Sequence, residues 1–169
     1  MSVFAYGTLK SDQLRGSMWP RRPERIETAI TQGQLWDLGS YPGLYLTDNP
    51  QDPEAMGTQG LSDNWVLGEL WTFKPEDLPK TFEVLDQIEG YDASSDSGLY
   101  LRREIDVRIL AGPQQSRVLT RSWVYVIPDL RTWPQARRIQ AWEHSTLGAT
   151  LARWPDAHAR VPRHISQED

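Results

Sequence analysis

With 169 residues, 38% of them hydrophobic, and a net charge of −5, the chain has apolar material for one domain with a real core and too little length for two. The acidic balance argues against a nucleic-acid surface as the main function, and no apolar run approaches the length of a membrane span. The absence of cysteine excludes disulfides, thiol nucleophiles and thiolate metal sites.

Residues 2–6 are apolar and partly aromatic and run straight into Gly7-Thr8-Leu9, the pattern of a strand ending in a tight turn. Amides gathered at such a turn either form a small anion-binding nest or simply lead the chain out of the strand. Residues 12–19 can begin a helix that Pro20 and Pro23 limit. Residues 29–38 suggest a second strand, bulged at Gly33, followed by a loop over 39–43 and a short strand over 44–47. Two prolines, two glycines and many polar groups make 48–63 a surface loop.

In residues 65–73, Leu67, Glu69, Trp71 and Phe73 alternate with Val66, Gly68, Leu70 and Thr72. Both sets carry apolar groups, which predicts a central strand. Glu69 is a candidate functional carboxylate or a charge at a strand edge or barrel mouth. Pro75 then opens a helix over about 76–89. At about 100° per residue, Leu78, Phe82 and Leu85 form one stripe, and Glu89 falls about 20° to 40° from each of them. Lost hydration and the negative end of the helix dipole would both raise the pKa of a carboxylate placed there, which is how a proton-transfer group is made. The alternative is that Gly90 stops the helix early and leaves Glu89 solvated or paired with an arginine.

Residues 92–98 are a polar connection. Beyond them Ile105, Val107 and Ile109 alternate with Asp106 and Arg108, a strand with one wet face, and Gly112-Pro-Gln-Gln turns the chain into a returning strand over 117–127. Residues 133–151 read as a helix, with Pro134 near its start, and the tail from Arg160 as loose. The basic clusters over 15–25 and 131–138 read as solvated surface. The N-terminus lacks the pattern of a signal peptide, so a cytoplasmic location is the expectation.

No Gly-x-Ser-x-Gly elbow, phosphate-binding loop or dinucleotide fingerprint is present, and His144, His158 and His164 lack a zinc-site spacing. An acid–base site without metal or cofactor remains, with Glu89, the turn from Tyr6 to Leu9 and tyrosines such as Tyr125 as its candidates.

Four segments in order, Val3-Phe-Ala-Tyr-Gly-Thr-Leu-Lys10, Val66-Leu-Gly-Glu-Leu-Trp71, Leu85-Asp-Gln-Ile-Glu-Gly-Tyr91 and Tyr100-Leu-Arg102, resemble the γ-glutamylcyclotransferase-like family, in particular the γ-glutamylamine cyclotransferase branch and small bacterial relatives. The resemblance, which runs from residue 3 to about 127, implies an α+β fold, a compact mixed β-barrel with flanking helices over 1–130; the residues themselves make 131–169 a helical extension packed on the same domain with a loose tail, a part less familiar in the family. The resemblance also implies a small γ-glutamyl substrate with Tyr6, Gly7, Thr8 and Leu9 binding it and Glu89 accepting and returning a proton; that no metal or other cofactor and no nucleic-acid or membrane partner is expected rests on the missing motifs, the charge and the hydropathy above. The turn's amides would hold the substrate's α-carboxylate or the transient oxyanion. The alternative is a binding module that keeps the barrel and pocket without turnover. Ser11-Asp-Gln-Leu14 departs from the turn of the γ-glutamylamine branch, which leaves the leaving amine open.

Overall fold

Val3 to Tyr6 is apolar at every position because both faces of this segment are covered. In the computed structural model, which describes residues 1–46, 65–110, 119–144 and 149–155, the strands in chain order begin with β1 (Ser2–Ala5), β2 (Arg25–Gln32), β3 (Gln34–Asp37), β4 (Pro42–Tyr45) and β5 (Trp65–Thr72). Helix α1 (Leu78–Glu89) follows, then β6 (Tyr91–Asp92), β7 (Ser97–Gly98), β8 (Leu101–Ile109) and β9 (Leu119–Val126), and last β10 (Arg137–Arg138), β11 (Trp142–His144) and β12 (Ala149–Leu151).

A closed barrel forms in the order β1-β5-β2-β8-β9. Its neighbours are antiparallel except at the closing seam, where β1 runs parallel to β9 with Val3 opposite Trp123. Phe4, Tyr6, Ala29, Val66, Leu70, Val107 and Val124 belong to the cluster that fills the barrel. Val3, Ala5, Trp71 and Phe73, the odd positions of the same strands, join Leu78 and Leu85 of α1 in a second cluster outside it. Two cores on opposite faces explain why β1 and β5 lack a wet side.

The helix forms largely as its periodicity predicts. Pro79 sits in the first turn, and Gly90 ends the helix in the left-handed region at φ 64°. Its buried positions are Leu78, Thr81, Leu85 and Glu89, while Lys80, Glu83 and Gln87 face water. Phe82 is only half-buried and packs edge-on against Trp123, 5.8 Å between ring centres.

Three expectations need correction. Residues 12–19 form successive turns instead of a helix, because Arg15 N donates back to Thr8 O and Trp19 Nε1 to Leu9 O, which winds the segment against the first turn. The strand expected over 29–38 breaks at Gly33, whose φ of 149° sends the chain from the barrel into a separate sheet ordered β10-β3-β4. The helix expected over 133–151 is absent among the described residues, which form β10, β11 and β12 there. The free edge of β3 accounts for part of this: Arg138 pairs with Trp36, and Ile139 N donates to Leu35 O. Ala152 is bonded on both sides to β5, its N–H donating to Trp65 O and its carbonyl accepting from Leu67 N.

The hairpin of β8 and β9 is as expected. The expected loop over 48–63, the turn over 112–115, the tail from 160, and His158 and His164 lie outside the described residues. Among the described residues, no helix is long and apolar enough to cross a membrane.

Candidate active site

The end of α1 and the turn after β1 meet at one cavity of about 140 Å3. Tyr6, Gly7, Thr8 and Leu9 line it from one element and Ile88 and Glu89 from another, with Arg15, Tyr41, Pro42, Tyr100 and Tyr125 among the remaining walls. Glu89 reaches this place because its helical phase matches that of Leu78 and Leu85, and because Gly90 ends the helix only after its last turn is complete.

Its carboxyl is pushed up from 4.5 to about 7. Burial is the main cause, since the ionised form loses hydration, and the charge of Arg15 partly offsets it. Tyr6 and Tyr100 also feel the Glu89 charge, and both phenols are held well above their ordinary pKa, first by burial. Glu89 thus exchanges its proton near neutrality while the phenols of Tyr6 and Tyr100 stay protonated.

The turn is held from several sides. Lys10 N donates to Gly7 O and Arg15 N to Thr8 O, whereas the amides of Gly7, Thr8 and Leu9 donate to no backbone carbonyl of the described turns and loops. Glu69 accepts from Ser11 N at 2.7 Å, Ser11 Oγ at 2.6 Å and Trp71 Nε1 at 3.0 Å. Its carboxylate is therefore spent on anchoring the loop, and it does not line the cavity. The Tyr6 hydroxyl is also committed: it donates to Tyr125 O at 2.8 Å and accepts from Leu44 N at 3.1 Å. What Tyr6 offers the cavity is its backbone and ring.

Tyr125 donates to Asp86 Oδ1 at 2.6 Å, and Arg102 Nη1 reaches both oxygens of Asp86 at 2.9 and 2.8 Å. Asp86 stands one helical turn before Glu89, so this cluster fixes the end of α1 to β8 and β9.

The model of the family described as gamma-glutamyl cyclotransferase, AIG2-like, matches residues 3–144. The chain belongs to this family. Its members are cyclotransferase-type enzymes by that description. Among solved structures, an AIG2-like protein from mouse is 19% identical, with 81% of this chain and 84% of that one covered and a TM-score of 0.53, which supports the shared fold. YkqA from Bacillus subtilis is similar at 18% identity and a TM-score of 0.48; the match covers 75% of this chain and 35% of YkqA. A γ-glutamyl cyclotransferase specific to glutathione, from yeast, is similar at 15% identity and a TM-score of 0.48, covering 75% and 68% of the two chains. No curated protein is significantly similar to the chain.

Arg15, Tyr41, Pro42 and Tyr100 all line this cyclotransferase-family cavity and escaped sequence reasoning as site residues. Arg15 was grouped with a solvated basic cluster. Its return to the turn depends on the Arg15 N to Thr8 O bond, which no local periodicity announces.

Gly7 has a steric reason to be glycine. A Cβ there would lie 2.6 Å from Pro42 Cγ, and Pro42 is held in turn by the Tyr100 hydroxyl, which donates to its carbonyl at 2.9 Å. The proline ring cannot rotate away, so Gly7→Ala must displace the turn. A loss of about 1 to 3 kcal/mol in chemical denaturation is expected. A variant as stable as the wild type would show that the turn accommodates a side chain.

Proposed function

We propose that the protein releases 5-oxoproline from a γ-glutamyl amine or γ-glutamyl peptide by intramolecular aminolysis. The observation that carries this reading is a buried carboxyl with a pKa of about 7 sharing one small cavity with an amide-bearing turn. A γ-glutamyl group brings its own nucleophile, the α-amine, so the enzyme need supply only position and proton transfer. Well-oriented intramolecular attacks reach effective molarities of roughly 10⁵ to 10⁸ M.

In the proposed sequence, ionised Glu89 takes a proton from the substrate's α-ammonium, and the freed amine attacks the γ-carbonyl carbon. The new C–N bond closes a five-membered ring while the carbonyl electrons move onto oxygen. Amides of Gly7, Thr8 or Leu9 suit either that oxyanion or the substrate's α-carboxylate as a partner. Glu89 gives this proton to the departing nitrogen as the old C–N bond breaks, then takes the second proton from the ring nitrogen and passes it to the freed amine, so that 5-oxoproline leaves with an ammonium or a zwitterionic amino acid. Both charges and protons balance with Glu89 ionised at the start and at the end.

The test is incubation of purified protein with a panel of γ-glutamyl amines and γ-glutamyl dipeptides, with 5-oxoproline read by mass spectrometry. At least one compound is expected to give 5-oxoproline and its free amine in equal amounts. Ligand-induced thermal stabilisation across the panel with no product would overturn the reading in favour of a binding module.

A further inference from the structure

Arg15 brings a cation to the same cavity with no ion pair to a carboxylate among the described residues. The arginines in ion pairs among the described residues are Arg21, Arg25, Arg102, Arg103, Arg121 and Arg131. Arg15 instead lies over the Tyr41 ring, 4.7 Å from its centre, and its amide is tied to Thr8 O at 2.8 Å. The guanidinium is thus placed by the substrate-binding turn itself and by the loop before β4. A planar fork of donors at a small cavity is suited to two-point recognition of a carboxylate.

We infer that Arg15 is a specificity-determining residue that binds a carboxylate of the substrate. This rests on the cyclotransferase reading above. The carboxylate has two sources: every γ-glutamyl compound carries the α-carboxylate, and a leaving amino acid carries a second one. An ionised Glu89 in the cavity repels either of them, and Arg15 supplies the opposing charge. A leaving amine that is itself cationic, such as a diamine, meets Arg15 as a like charge and is disfavoured.

The experiment compares wild type with Arg15→Gln and Arg15→Lys on γ-glutamylalanine and γ-glutamylethylamide, which differ in the leaving-group carboxylate. Binding of 5-oxoproline and 2-pyrrolidinone, which differ in the α-carboxylate, is measured beside it by calorimetry. Loss of a charge-assisted contact is expected to lower kcat/KM on the order of 10- to 100-fold in Arg15→Gln, with partial rescue by Lys. A fall confined to γ-glutamylalanine identifies the leaving-group carboxylate. A fall for both substrates, with weaker 5-oxoproline but unchanged 2-pyrrolidinone binding, identifies the α-carboxylate.

Arg15 also lowers the Glu89 pKa, so the acid limb of the kcat/KM profile should move to higher pH in Arg15→Gln, a change that a remote structural role would not produce. The inference is overturned if a folded Arg15→Gln stays within twofold of wild type on both substrates and in both binding measurements. If wild type makes no 5-oxoproline from any compound, the proposed activity falls. The comparison of 5-oxoproline, γ-glutamylalanine and 2-pyrrolidinone binding to wild type and Arg15→Gln then decides the role of Arg15 by itself.

Discussion

Glu89→Gln will lower 5-oxoproline release by about 10² to 10⁴-fold and at the same time make the folded protein more stable above neutral pH. The two effects have one cause. Burial raises the carboxyl from 4.5 to about 7, which makes it a competent base near neutrality and an unfavourable charge in the fold. An amide of the same shape keeps the packing and cannot take the substrate's proton.

The pH dependence follows from the sign of that shift. Between about 4.5 and 7 the native state holds a proton that the unfolded chain has released, so this group's contribution to stability is fully present below 4.5 and is lost as pH rises through 7. At pH 8 the loss is on the order of 3 kcal/mol. Glu89→Gln removes it, and in a domain of this size the melting temperature should rise by roughly 6 to 12 °C at that pH and by little at pH 4. Activity runs the other way, with kcat/KM of the wild type falling as pH drops below about 7. Wild-type turnover in the variant would remove Glu89 from the role of base. Turnover lost together with stability would show that the carboxylate acts as a structural partner.

The position of Glu89 was legible because two local rules agree: a 3.6-residue period places it with Leu78 and Leu85, and Gly90 follows at the residue where the helix must end. The turn from Tyr6 to Leu9 was legible for the same local reason, a strand running into a glycine. The strands β5 and β8 carry period-two patterns, and β5 and β9 formed close to the limits expected for them. What failed depended on distant partners. The segment from Trp133 has helical spacing, yet β3 offers Trp36 and Asp37 as backbone partners for Arg138 and Arg137, and pairing with them outweighs local preference. Glu69 could not be separated from a catalytic carboxylate in the sequence because Ser11, its partner, is 58 residues away. Arg15 was hidden in the same way. The basic residues grouped with it, Arg21 and Arg22, are exposed, and only the folded turn directs Arg15 to the cavity.

Arg102→Ala should produce the largest loss of stability among the changes considered, because it breaks a pair that is mostly shielded from water. The side chains of Arg102 and Asp86 are 17% and 16% exposed, so solvent screens their attraction only weakly. The guanidinium also lies 4.2 Å from the centre of the Phe82 ring, 5.3 Å from Tyr91 and 5.6 Å from Trp123, and its removal opens a hole among three aromatic side chains. Asp86 would be left with the Tyr125 hydroxyl as its remaining described side-chain partner. Breaking such a pair from one side costs about 3 kcal/mol, a large share of the roughly 5 to 15 kcal/mol that holds a domain together. The expected readout is a fall of about 6 to 12 °C in melting temperature. Removing both charges together, as Asp86→Leu with Arg102→Met, leaves no orphaned ion and should recover most of that loss, apart from about 1 kcal/mol for the Tyr125 hydrogen bond. Asp86 lies three residues before Glu89, so the single variant should also lower kcat/KM at temperatures where it remains folded, through the position of the helix end. If Arg102→Ala melts within 1 °C of wild type, the cluster does not fix α1 to the barrel, and the placement of Glu89 must come from its apolar neighbours alone.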